Sequence, residues 1–100
     1  MPLTAERKKQ LRTLGHNLNP VVTVAGKGLS ENVMGEIDRA LNDHELIKVK
    51  FAVGDRDIKK QMIAEMVEQT GAEIAQQIGN IALIVREAKK PNVKLSNLLR

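Results

Sequence analysis

A β-branched run, a glycine-bracketed lysine and a capped amphipathic helix follow one another without a break. They are Pro20-Val21-Val22-Thr23-Val24-Ala25, then Gly26-Lys27-Gly28, then Ser30 ahead of Glu31 to Leu41. β-Branched residues give way to apolar residues at i, i+4 and i+8 (Val33, Ile37, Leu41, with Met34 alongside), so the chain must turn from strand to helix within a few residues. Such a turn aims backbone N–H groups and the positive end of a helix dipole outward, and the natural occupant of that position is an anion. Any α/β domain makes the same turn, so the stretch constrains the fold more than the function.

The known phosphate loops do not fit it. Gly-x-x-x-x-Gly-Lys-Ser/Thr cannot be placed here. Gly26-x-Gly28 begins a dinucleotide fingerprint, but Glu31 stands where the third glycine and the pyrophosphate belong. A nucleotide-binding enzyme is therefore not expected, and neither is a small-molecule substrate.

On either side the same alternation continues. Thr4 can cap a helix to about Leu14, which turns Leu11, Leu14 and Leu18 inward, and Gly15 can end it. Leu46 to Val53 reads as a second strand, with Ile47, Val49, Phe51 and Val53 toward a core. Its other face (Leu46, Lys48, Lys50, Ala52) is half polar, so part of the sheet should be wet. Asp55 or Asp57 can cap a third helix, with Ile58, Met62, Ile63, Met66 and Val67 as its apolar arc and Thr70-Gly71 as its end. Ile74 to Ile78 and Ile81 to Arg86 flank Gly79-Asn80, a two-residue hairpin loop of the Gly-x type. The expected order is α-β-α-β-α-β-β: a single-domain α/β sandwich with a four-stranded mixed sheet. Its β-α-β crossovers should join parallel strands and its last hairpin should be antiparallel.

One hundred residues make one domain, read as residues 1–86 followed by a basic tail, 87–100, expected to be extended or mobile. Cysteine is absent, so neither disulfides nor thiolate metal sites are available. No apolar run approaches a membrane span, and Met1 to Glu6 carry no signal-peptide core. A cytoplasmic protein without membrane contact, metal or cofactor is expected. Asp55-x-Asp57 reads as helix capping, and no nucleophile–base pair stands out, so no enzyme activity is expected.

Charge is unevenly placed. Residues 1–16 carry four basic side chains against one acidic, residues 86–100 five against one, and the middle seven against ten. An acidic centre between two basic ends suggests a polyanion partner. On the first helix Lys9, Arg12 and His16 share a face, with Lys8 beside it.

Several joints of the chain carry a resemblance. Leu18-Asn19-Pro20-Val21-Val22, Gly28-Leu29-Ser30-Glu31-Asn32-Val33, Glu36-Ile37-Asp38-Arg39-Ala40-Leu41 and His44-Glu45-Leu46-Ile47-Lys48-Val49-Lys50 do so, with Thr70-Gly71-Ala72 and Ile78-Gly79-Asn80. Over about residues 3–86 the chain resembles the CRM family (chloroplast RNA splicing and ribosome maturation domains), in its free-standing bacterial, YhbY-like form. That resemblance implies a fold similar to the C-terminal domain of translation initiation factor 3. It also implies RNA as partner, specifically ribosomal RNA in the precursor of the large ribosomal subunit. The family's Gly-x-x-Gly loop maps onto Ala25-Gly26-Lys27-Gly28, with Ala25 in place of the first glycine. Either position 25 needs no left-handed backbone, or the turn is shifted by one.

Phe51 is the only aromatic residue and it points to the core, so bases cannot stack on exposed rings. Binding would have to grip phosphates and sugars. The candidates are Gly26, Lys27 and Gly28 at the loop, Lys8, Lys9, Arg12 and His16 on the first helix, and Lys48 and Lys50 on the open sheet face. Lys89, Lys90, Lys94 and Arg100 in the tail would add non-specific contacts. Each has a plainer reading as a solvated charge, and His16 and His44 also read as ordinary surface histidines. The alternative function is a module that docks on ribosomal proteins without touching RNA.

Overall fold

The computed structural model describes residues 3–25 and 28–98. Three helices, α1 (Ala5–Gly15), α2 (Glu31–His44) and α3 (Arg56–Thr70), alternate with strands β1 (Pro20–Val24), β2 (Leu46–Phe51), β3 (Glu73–Ile78) and β4 (Ile81–Val85). Side-chain caps start each helix: Thr4 Oγ1 accepts from Arg7 N–H, Ser30 Oγ from Val33 N–H, and Asp55 Oδ1 from the N–H groups of Asp57 and Ile58. Gly71, at φ +72°, ends α3.

The sheet order is β1-β2-β4-β3, with β1 parallel to β2 and the other pairs antiparallel. The two crossovers therefore differ. The first joins neighbours; the second joins strands that run the same way but with β4 inserted between them. Composition explains the insertion. Ala82, Leu83, Ile84 and Val85 are all buried, so β4 needs cover on both faces and a partner on both edges, whereas the glutamines of β3 tolerate an edge. Gly79 has φ +56° and Asn80 does not share its positive φ, the pattern of a type II′ hairpin.

Two apolar layers lie on opposite faces. Val22, Val24, Ile47, Val49, Phe51, Ala82 and Ile84 meet Ile37, Leu41, Ile63 and Met66 of α2 and α3. Ile58, expected on that apolar arc, is exposed. On the other face α1 covers only one end: Leu11 packs with Leu46, Ala75, Leu83 and Val85. Leu46 is thus core, and the wet half of that face begins at Lys48. Gly15 is buried at the last position of α1, where a Cβ would sit 2.7 Å from Leu83 Cδ1. It serves close approach to the sheet, and His16 after it has an ordinary right-handed φ of −54°.

The tail departs most from expectation. Residues 87–98 form no helix or strand, yet they fold back onto the start of β2. Ser96 Oγ donates to Glu45 Oε1 at 2.6 Å, Ala88 N–H to Glu45 Oε2 at 2.7 Å, and Asn97 Nδ2 to the Leu46 carbonyl at 2.6 Å. His44 Nδ1 donates to the Leu95 carbonyl at 2.9 Å, so His44 pins the tail and is more than a surface histidine. Leu98 packs on the α1 layer. Polar anchors at both ends of this segment replace the extended or mobile tail that its lysines and Pro91 suggest.

Candidate nucleic-acid interface

With Leu11 and Gly15 turned to the sheet, the helical repeat turns Lys9, Arg12 and His16 outward. All three are exposed and line one shallow groove with Thr13 and Asn17. Lys8 is half-buried. Arg7 is engaged elsewhere, with Gln10 Oε1 and, at 3.4 Å, with Glu87.

Lys48 links this helix face to the sheet. Its Nζ donates to the His16 carbonyl at 3.3 Å, where the negative end of the α1 dipole favours a cation. Lys50 follows two residues on, exposed and on the same face, about 7 Å further along the strand. Register sets Lys48 beside Pro20 and Leu83, and Lys50 beside Thr23 and Ile81. Two residues past Thr23 the chain enters the glycine loop. The order along the surface is therefore Lys9, Arg12 and His16, then Lys48 and Lys50, toward the end of β1 that leads into the loop.

Of the loop candidates, Gly26 and Lys27 lie outside the described residues. Gly28 N–H donates to the Ala25 carbonyl at 2.9 Å, and Ser30 N–H to the Gly28 carbonyl at 3.1 Å. Among the described residues of the loop, Gly28 is left-handed, at φ +80°, and Ala25 is not among the residues with positive φ. Alanine in place of the first glycine is thereby accommodated: position 25 needs no left-handed backbone. Glu31 stands in the first turn of α2, where its carboxylate answers the dipole, so an anion here would be held by the loop and its neighbours more than by the helix end.

The tail cations are elsewhere. Lys89, Lys90 and Lys94 are exposed, but their segment is anchored at Glu45, Leu46 and His44, at the end of β2 away from the loop. Arg100 lies outside the described residues. Arg86 is no free charge: its guanidinium donates to Asp38 Oδ1 at 2.7 Å and to the Thr70 carbonyl, the Asp38 carbonyl and Asn42 Oδ1.

Glu45, Ser96 and Asn97 escape sequence reasoning, because their bonds span about fifty residues and no local spacing announces them. Among the described residues no three His, Cys, Asp or Glu side chains gather as a metal site would need, and no helix is long and apolar enough to cross a membrane.

Comparison with known proteins bears on the family and the fold. The CRS1/YhbY (CRM) domain model matches residues 3–86. A Pseudomonas aeruginosa protein named "Probable RNA-binding protein PA4753" is 49% identical over 100 residues, covering all of this chain and 96% of the relative. A Haemophilus influenzae protein named "RNA-binding protein" is 44% identical, covering 93% of this chain and 94% of its own. The solution structure of SAV1595 from Staphylococcus aureus superposes with a TM-score of 0.76 at 38% identity, over 88% of this chain and 92% of that one. A match along nearly the whole described fold, at such identity and with the same architecture, leads to one assignment: the chain belongs to the CRS1/YhbY (CRM) domain family.

Proposed function

We propose that this protein binds RNA, that its target is ribosomal RNA during assembly of the large ribosomal subunit in the cytoplasm, and that it acts by binding without catalysis. The observation that carries the binding is the run of cations from Lys9 and Arg12, past His16, across Lys48 to Lys50, toward the end of β1 that leads into the glycine loop. Family membership and the relatives' names support RNA over other polyanions. The ribosomal target rests on the family alone.

Such a surface holds an RNA backbone. Ammonium and guanidinium groups replace condensed counterions on phosphates, so affinity falls with salt, by roughly 0.7–0.9 in log–log slope per phosphate contact. Shape and backbone are then recognised more than base sequence.

The test is to purify the protein from its host, sequence the RNA that accompanies it and follow which ribosomal particle it sediments with. Ribosomal RNA and a large-subunit precursor are expected, with binding weakened by salt and by Lys27→Ala or Arg12→Ala. Free protein without RNA refutes the reading. Salt-insensitive association that survives Lys27→Ala points to docking on ribosomal proteins.

A further inference from the structure

The half of the sheet that α1 leaves bare differs in kind from the helix groove. Two rows cross it, Lys48–Leu83–Gln76 and Thr23–Lys50–Ile81–Ile78, and neither contains a carboxylate. Lys48, Gln76, Ile78, Ile81 and Leu83 line a hollow of about 210 Å³. Drug-sized sites run to roughly 300–1,000 Å³, so this one has room for a single flat group. Its floor is aliphatic, one border is cationic, and another carries the Gln76 amide. Ile78 is 65% exposed, beside the hairpin.

We propose that this hollow receives one unpaired nucleotide of the bound RNA. An unstacked base has apolar faces, a polar edge and an anionic phosphate. The aliphatic floor, the Gln76 amide and the ammonium groups of Lys48 and Lys50 match those three in turn. Isoleucine against a base face needs no aromatic ring, and apolar side chains elsewhere wedge against bases in this way. Charge complementarity favours a nucleic acid here, and Lys48 makes the hollow continuous with the cationic helix groove. A fully paired helix keeps its base faces stacked inside, so the protein selects RNA with a bulge, loop or frayed end. The inference rests on the RNA-binding reading and names the class of RNA.

The experiment compares two RNA hairpins, one fully paired and one with a single bulged uridine, by fluorescence anisotropy with the wild-type chain, Ile78→Ser and Arg12→Ala. The bulged hairpin should bind about fivefold more tightly, the low end of what stacking one base on an aromatic ring contributes, as befits an aliphatic floor. Ile78→Ser should erase that preference and leave the paired hairpin's affinity unchanged. Arg12→Ala should weaken both. A 4-thiouridine at the bulge should crosslink to the β3–β4 hairpin, a readout independent of any variant's folding. Equal binding of the two hairpins, a preference that survives Ile78→Ser, or a crosslink confined to α1 overturns the inference while RNA binding stands. Ile78→Ser that spares both RNA affinities but releases a co-purifying protein overturns it in favour of a protein partner. If neither hairpin binds and Arg12→Ala changes nothing, the RNA-binding reading itself has failed, and this inference with it.

Discussion

The same substitution, glycine to alanine inside a helix, should have opposite signs at two positions of this protein. At Gly15 an added Cβ falls 2.7 and 2.8 Å from the two methyl carbons of Leu83, closer than real Cβ contacts allow. Leu83 is buried under α1 with Leu11 and Leu46 around it, so it has little room to give. Overpacking of this kind costs about 1–3 kcal/mol. Alanine's better helix propensity returns at most about 1 kcal/mol, less in a final turn. The net is a loss of about 1–2 kcal/mol, a fall in Tm on the order of 5–10 °C for a domain of this size. At Gly35, in the second turn of α2, nothing lies within 4 Å of the new Cβ, so propensity acts alone. Gly35→Ala should raise stability by about 0.5–1 kcal/mol. The chain has no Trp or Tyr, so the assay is urea and thermal unfolding followed by far-ultraviolet circular dichroism. If Gly15→Ala stabilises as Gly35→Ala does, α1 does not sit on Leu83 at this distance, and the link from His16 to Lys48 loses its basis.

Glu45, a residue only 2% exposed, holds a non-glycine backbone at φ +63° while its carboxylate accepts from Ser96 and Ala88. Glu45→Ala should cost about 2 kcal/mol or more, because it leaves those donors unmatched. Glu45→Gly should cost about 1 kcal/mol less than Glu45→Ala, since glycine accepts the strained φ; urea titration of both reads the difference. Arg86→Lys should lower stability by about 1–2 kcal/mol, because one ammonium cannot span Asp38, Asn42 and the Thr70 carbonyl as the guanidinium does. Thermal melts of that variant check it, and an unchanged Tm would mean the four bonds add nothing.

What the sequence discloses follows range. Period-two and helical apolar patterns, the caps at Thr4, Ser30 and Asp55, and Gly79 in its hairpin are local signals, and local hydrogen bonds answer them. Lys9, Arg12 and His16 on one face follow from helical spacing alone. Two kinds of feature lay beyond such reading. One is strand order: β4 between β2 and β3 is decided by which strand must be covered on every side. The other is the tail. Lys89, Lys90, Pro91 and Lys94 read as solvated chain, while Ser96 and Asn97 anchor to partners about fifty residues upstream. Gly15 shows a third limit, since glycine at a helix end suggests a left-handed cap and here serves contact with Leu83.

The anchored tail changes how the basic residues combine. A sum over the sequence treats both basic ends as one polyanion-binding charge, but the fold sets the tail lysines and the glycine loop at opposite ends of β2. Six residues at about 3.3 Å each separate them by about 20 Å, twice the Debye length of about 8–10 Å in physiological salt. Through solvent the two clusters are therefore nearly independent, and only an RNA long enough to reach both can couple them. At about 3.4 Å per stacked nucleotide, a strand of roughly six spans the gap end to end. Combining Lys89→Ala, Lys90→Ala and Lys94→Ala should thus leave the affinity for a shorter RNA unchanged. For a strand several times longer, the same variant should weaken binding and reduce the salt slope by up to about 2–3. Anisotropy across a salt series with both lengths measures this directly. An equal loss for the short RNA would place the tail lysines on the same surface as Arg12 and Lys50, against the anchoring at Glu45 and Asn97.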